Sequence, residues 1–104
     1  MKDQAAAREA LLVRRLALVA NVSALTAEAL RLNQKRAGID MDVLRLKLEI
    51  GRNGTSEQLV RDLPEAQESA EAIIHECAAC EERIVAAESD VEDVDRRLAA
   101  TVTD

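Results

Sequence analysis

The sequence has 104 residues, of which 48% are hydrophobic and 33% charged, and its formal net charge is -6. A chain of this length forms one domain at most, and we take this composition to exclude a disordered tail and a membrane protein. Phe, Trp and Tyr are all absent, so a core must be built from aliphatic side chains and no aromatic ring can stack on a nucleic-acid base. One Pro and three Gly leave little material for turns, which predicts an all-α fold.

Charge is distributed unevenly along the chain. Residues 1–50 carry nine basic and six acidic side chains, whereas residues 51–104 carry five and fourteen. The two halves are therefore complementary, and the net negative charge disfavours nucleic acid and anionic membranes as partners. We find no run of about 18 uninterrupted apolar residues and no signal-peptide pattern, so we expect a cytoplasmic protein with reduced cysteines and no membrane contact.

A heptad pattern predicts a long first helix from about residue 4 to residue 50. Its series is Leu11, Arg15, Leu18, Val22, Leu25, Ala29, Leu32, Arg36, Ile39, Val43, Leu46 and Ile50. Because the phase continues past Gly38, we favour a helix through this glycine, with or without a bend, over a turn at residues 37–40. Residues 44–50 also alternate with period two, but no second strand is available to pair with them.

The strongest turn signal lies at residues 51–56, close to the midpoint of the chain. Gly51 is placed to end the first helix, and Gly54 can adopt a positive φ. Thr55 and Gln58 have the spacing of a capping box, which predicts a second helix from about residue 57 to residue 101.

A second heptad series follows the turn. Its members are Leu59, Leu63, Ala66, Ala70, Ile73, Cys77, Cys80, Ile84, Ala87, Val91, Val94, Leu98 and Thr101. Pro64 predicts a kink rather than a loop, since the phase is the same on both sides of it. Two matched arms joined by one turn predict an antiparallel hairpin of two long helices, a coiled-coil-like bundle that forms a single domain over residues 1–104. A bundle split into three helices at Gly38 or Pro64 is the alternative.

The first arm has more apolar side chains than one seam can bury. A second stripe runs beside the heptad series and consists of Leu12, Leu16, Val19, Thr26, Leu30, Ala37 and Leu44. A lone hairpin would leave this stripe in contact with water. We therefore predict a protein-binding surface at Leu12, Leu16, Val19, Leu30 and Leu44. A second copy of the chain, a different protein, or a bend or third helix within the chain could cover it.

His75, Cys77 and Cys80 are the one group of residues that suggests a metal site. On a helix the two cysteines lie on the seam while His75 points outward, and two thiols do not make the four-ligand set of structural zinc. We interpret the cysteines as small core residues. No nucleophile is matched with a base, so we expect no enzyme activity, no metal and no cofactor.

Three short motifs resemble the family of tubulin-binding cofactor A. They are Val13-Arg14-Arg15-Leu16 in the first helix, Gln67-Glu68-Ser69 with Ile73 in the second, and Ile84-Val85-Ala86-Ala87 further along. The resemblance implies a cytosolic helical-bundle chaperone that captures β-tubulin along its helix faces. Together these features predict a non-catalytic protein-binding module of chaperone or adaptor type. A structural coiled-coil subunit that homodimerises into a four-helix bundle is the alternative.

Overall fold

The computed structural model describes residues 2–102, without the side chain of residue 102. Within this range the chain forms two α-helices, α1 (Lys2–Asn53) and α2 (Glu57–Val102), and no strand. The helices pack as an antiparallel hairpin, which confirms the predicted fold class. The helix continues through Gly38 and through residues 44–50, which confirms the helix that we favoured there over a turn or a strand. The second helix continues through Pro64, so the alternative of a split into three helices is wrong.

The end of α1 differs from the prediction by three residues. The helix passes through Gly51 and ends at Asn53. Gly54 then adopts a φ of 77°, and its amide donates a hydrogen bond of 2.9 Å to the carbonyl of Ile50. This is the αL cap, in which a left-handed residue satisfies a carbonyl of the last turn. Gly54, and not Gly51, therefore stops the helix.

The start of α2 is capped by Ser56 rather than by Thr55. The Ser56 hydroxyl accepts a hydrogen bond of 3.2 Å from the amide of Leu59, and its carbonyl accepts the first helical bond, 3.0 Å long, from Val60. A serine in this position satisfies an amide that has no partner within the helix. The capping box predicted from Thr55 is wrong by one residue.

Both heptad series face the partner helix. Every predicted seam residue of α2 is buried or half-buried, and on α1 only Arg36 is exposed. The buried side chains are Leu32, Leu46, Leu59, Ile73, Cys77, Cys80, Ala87 and Val94. Six of these eight belong to α2, and three of the six, Cys77, Cys80 and Ala87, are small.

The hairpin is divided into two compact units. The terminal unit comprises the described residues of Met1–Ala27 and Cys80–Asp104, and its buried side chains are those of Cys80, Ala87 and Val94. The turn unit comprises Glu28–Ala79 and buries the other five core side chains. Each unit thus contains a segment of both helices and a core of its own.

Ile73 and Ile74 offer a matched test of the core. Ile73 is 1% exposed and Ile74 is 46% exposed. We expect Ile73→Ala to lower the free energy of unfolding by about 2–5 kcal/mol, because it removes buried methyl groups and leaves a cavity. Ile74→Ala should change it by less than about 1 kcal/mol. Urea unfolding followed by circular dichroism at one protein concentration measures both values, and equal losses would contradict this assignment of the core.

Gly54 and Gly51 offer a matched test of the turn. A Cβ at either position would meet no atom within 4 Å, so only backbone conformation separates the two. Gly54→Ala should destabilise the protein by about 1–2 kcal/mol, because a side chain strains a left-handed residue. Gly51→Ala should stabilise it by about 0.5–1 kcal/mol, because alanine favours the helix. Thermal unfolding of the two variants should therefore shift in opposite directions.

Candidate interaction surface

The outward side of α1 carries large apolar side chains that nothing in the described chain covers. They are Leu12, Val13, Leu16, Val19, Leu30, Met41, Leu44 and Leu48. All five residues predicted to bind a partner are in this set, and each is exposed. No third helix within residues 2–102 covers them, so the predicted cover from within the chain is absent from this range.

The terminal unit contains one group of these residues, which we call the terminal patch: Leu12, Val13, Leu16 and Val19. Leu16 is the most exposed of the four, at 73%. Steps of four and three residues place Leu12, Leu16 and Val19 in one row along the helix. No charged side chain occurs from Leu16 to Ala27, so the helix is uncharged around its whole circumference there.

Arg15 connects the two helices beside the terminal patch. Its Nε donates a hydrogen bond of 2.6 Å to Oδ1 of Asp95, and Nη2 lies 3.5 Å from Oδ2. The hydrogen bond that Arg15 donates to Asp95, and then the negative charge of Asp95, raise the pKa of Arg15 above the ordinary value. Both side chains remain partly in water, so the pair aligns the helices more than it stabilises them.

Arg8 binds the C-terminal end of α2. Its Nη1 donates hydrogen bonds of 2.7 Å to the Thr101 hydroxyl and 3.4 Å to the Leu98 carbonyl. The last turn of α2 has no basic residue of its own, and a cation near a helix C-terminus interacts favourably with the helix dipole. The first helix therefore supplies the positive charge that the second lacks.

The turn unit contains a second group, the turn patch: Met41, Leu44 and Leu48. Spacings of three and four residues place these side chains on one side of α1. With Arg45, Glu49, Arg52 and Asn53 they line a shallow, open groove on the helix surface. This patch therefore combines exposed apolar side chains with a margin of two arginines and one glutamate, whereas the terminal patch runs into the uncharged stretch from Leu16 to Ala27.

Val13, Met41 and Leu48 were not among the predicted residues. They occupy the heptad position directly opposite the seam, where a helix in water is normally polar. Reading that position along the first arm would have identified them, because all three are large and apolar. Among the described side chains of α2, the large exposed apolar ones are Val60, Ile74 and Val85, which are far apart in the sequence and are ordinary for a protein surface.

The cysteines lie where the heptad placed them. Cys77 and Cys80 are buried and form no disulfide. The thiol of Cys80 lies 3.6 Å from the Leu25 carbonyl, and that of Cys77 lies 3.7 Å from Oδ1 of Asn33. His75 is exposed, and no three His, Cys, Asp or Glu side chains in residues 2–102 converge as metal ligands would.

Apolar character along α1 also bears on membranes. This helix contains an 18-residue window with a mean hydropathy of 1.5 and at most two charged residues, long and apolar enough to cross a bilayer. None of that window is fully buried. A single such helix is weak evidence for a membrane span, because a core helix of a soluble protein and a signal sequence pass the same test.

Burial predicts that both native thiols react slowly. A Ser89→Cys variant, which adds a thiol at an exposed position, serves as the control. With Ellman's reagent in native buffer, the new thiol should react fully before Cys77 or Cys80 reacts detectably. Both should react at once in denaturant, since reagent access and not chemistry limits the native reaction. Rapid modification of the native parent protein would contradict their place in the core.

Comparisons with known proteins give no match. No family model matches the chain, and neither a curated protein nor a solved structure is detectably similar to it. The resemblance to tubulin-binding cofactor A therefore stays a prediction from three short motifs. Any function of this chain has to be argued from the surfaces of α1 and α2 themselves.

Proposed function

We propose that the protein is a non-catalytic helical module that binds a protein partner through the outer side of α1. One observation carries the proposal: among the described residues, eight of the eleven large exposed apolar side chains belong to α1. An apolar helix surface of this kind fits recognition of another helix, in which residues spaced by three and four act as anchors. The turn patch has this spacing and is the best candidate for the partner site.

The chemistry of the turn patch favours binding over catalysis. Leu44 and Leu48 are aliphatic, and Met41 has a flexible thioether that adapts to differently shaped partners. The groove around them is shallow and contains no His, Cys or Ser. Enclosed space and a matched acid and base are what an active site requires, and these side chains supply neither.

Charge indicates what kind of partner would fit the turn patch. Helix α1 has ten basic and six acidic residues, whereas α2 has four and thirteen. Arg45 and Arg52 stand in the lining of the groove, and Arg45 is held only loosely, 4.0 Å from Asp42. We therefore expect a partner that presents an apolar ridge with acidic side chains beside it. Helix α2 is itself an acidic helix with an apolar seam, and it packs on the seam of α1.

The resemblance to tubulin-binding cofactor A makes β-tubulin the first partner to test. We propose that the turn patch would hold unassembled β-tubulin in the manner of a folding cofactor in the cytoplasm. The three motifs that suggest this partner are independent of the turn patch, because none of them contains Met41, Leu44 or Leu48. A test at Leu44 can therefore fail even if the motifs are meaningful.

Leu44→Glu and Ile74→Glu form the test and its control. Both residues are exposed and lie in the turn unit, but Leu44 belongs to the turn patch and Ile74 to α2. With fluorescently labelled protein and β-tubulin separated from its α subunit, we expect Leu44→Glu to weaken binding at least tenfold, since burial of the new charge opposes the contact. Ile74→Glu should bind like the parent protein, and circular dichroism should show equal helix content in both variants.

A photocrosslinking amino acid at the same two positions tests the surface without assuming tubulin. The residue at position 44 should form an adduct with one defined protein in cytoplasm from the source organism, and the residue at position 74 should not. Adducts at both positions, or at neither, would overturn the proposed surface. Failure to bind tubulin together with a specific adduct at position 44 would overturn only the identity of the partner.

A further inference from the structure

The terminal patch runs into a stretch of α1 that has the composition of a buried helix, and Leu16 and Val19 belong to both. From Leu16 to Ala27 the chain has twelve residues without a charge, and only Asn21, Ser23 and Thr26 are polar. The Thr26 hydroxyl donates a hydrogen bond of 2.8 Å to the Val22 carbonyl of its own helix, so this polar group needs no water. A helix that is uncharged all round is normally covered on all sides.

We propose that a second copy of the chain covers the terminal patch, with the two α1 helices packed against each other in antiparallel orientation. The contact is isologous, so each copy offers the same patch of Leu12, Val13, Leu16 and Val19 to the other. This surface differs from the turn patch assigned to a partner protein. Either inference can therefore fail while the other holds.

Charge is the reason for choosing a second copy as the occupant. In an isologous contact every surface meets its own duplicate, so like charges come together and oppose it. The segment of α2 in the terminal unit has seven acidic and three basic residues within positions 80–102, and it would repel its copy. The uncharged stretch of α1 would not. Arg15, the nearest seam charge, is already held by Asp95 of the same chain.

The same residues set the orientation of the two helices. Glu9 lies two turns before Leu16 on the same side of α1, so a parallel pair would bring Glu9 beside Glu9 of the second copy, which is unfavourable. In an antiparallel pair with Leu16 opposite Val19 of the second copy, Leu12 lies opposite Ser23 and Glu9 opposite Thr26. Each pair then joins uncharged side chains or sets a charge beside a neutral one. Antiparallel packing therefore brings the apolar row together without repulsion.

The size of the patch sets the strength of the dimer. Positions 12–26 extend over roughly 22 Å of helix, and a contact about 10–16 Å wide along that length covers roughly 200–350 Å² on each copy. Stable dimers bury about 800 Å² on each partner. We therefore expect a weak, reversible dimer that forms only at high protein concentration, with monomers prevailing at low concentration.

Analytical ultracentrifugation of the full chain tests the contact. Between 5 μM and 1 mM the parent protein should change from monomer to dimer. Leu16→Glu should weaken dimerisation at least tenfold, whereas Val85→Glu should not, although Val85 is 68% exposed on α2 of the same unit. Leu12→Gln provides a milder second variant if Leu16→Glu loses helix content. A parent protein that stays monomeric at 1 mM, or equal weakening by Leu16→Glu and Val85→Glu, would overturn the proposal.

A spin label at position 9 tests the orientation. In the antiparallel dimer the two copies of Glu9 should be separated by roughly 27 Å, given a rise of 1.5 Å per residue and helix axes 8–10 Å apart. In a parallel dimer they would lie about 10 Å apart. Pulsed electron paramagnetic resonance on a Glu9→Cys variant, labelled briefly so that the buried cysteines stay unmodified, distinguishes the two, and the short distance would overturn the antiparallel pairing.

Vesicles test the remaining occupant, a lipid surface. Phosphatidylcholine vesicles with and without phosphatidylserine are sedimented with the parent protein and with Leu16→Glu. We expect neither protein to sediment with either vesicle, because the acidic surface of α2 opposes anionic lipid. Sedimentation of the parent protein that Leu16→Glu abolishes would assign the terminal patch to membrane contact and overturn the dimer.

Discussion

The difference in side-chain size between the two seams is the constraint on which the structure depends. Cys80 and Ala87 on α2 are small enough for the leucines of α1 to cover them, so the helices approach closely without aromatic residues. A helix that contributes mostly small residues cannot bury all the apolar surface of a leucine-rich partner. The exposed apolar side chains of α1 lie beside or opposite its seam, where a single partner helix does not cover them, and they supply the surfaces on which function can act.

Unequal charge gives the two patches of α1 different properties. The turn patch has arginines beside it, and the terminal patch borders a stretch with no charge at all. A basic margin selects partners of opposite sign, whereas an uncharged surface tolerates its own duplicate. The two contacts that we propose for α1 therefore use similar leucines with different charges beside them.

The seams could be predicted because burial imposes a period, and a period is visible over many residues. Leu32, Leu46 and Ile73 lie where that period placed them. A helix end or a cap depends on one residue and leaves no repeating pattern. The sequence alone does not favour Gly54 over Gly51 as the end of α1, or Ser56 over Thr55 as the cap of α2. The hydrogen bonds to Ile50 and Leu59 identify them. The five apolar residues predicted beside the seam are exposed, as expected. Val13, Met41 and Leu48 were not predicted, because they lie opposite the seam and only the seam and the positions beside it were considered. Neither heptad series contains information on which protein would bind to α1.

Because the described chain reverses direction once, the distance of a contact from the turn sets when that contact forms during folding. Contacts across the hairpin join residues that are further apart in sequence the further they lie from the turn: Cys77 and Asn33 are separated by 44 positions, Arg8 and Thr101 by 93. Closing the longer loop in an unfolded chain costs about 0.6 kcal/mol more entropy, and pairing that starts at residues 54–56 avoids most of that cost. Folding should thus proceed as a zipper from Gly54, with the Arg8 contacts closing last. In the native state the same contacts should open first, so amide hydrogens near the two ends should exchange earliest.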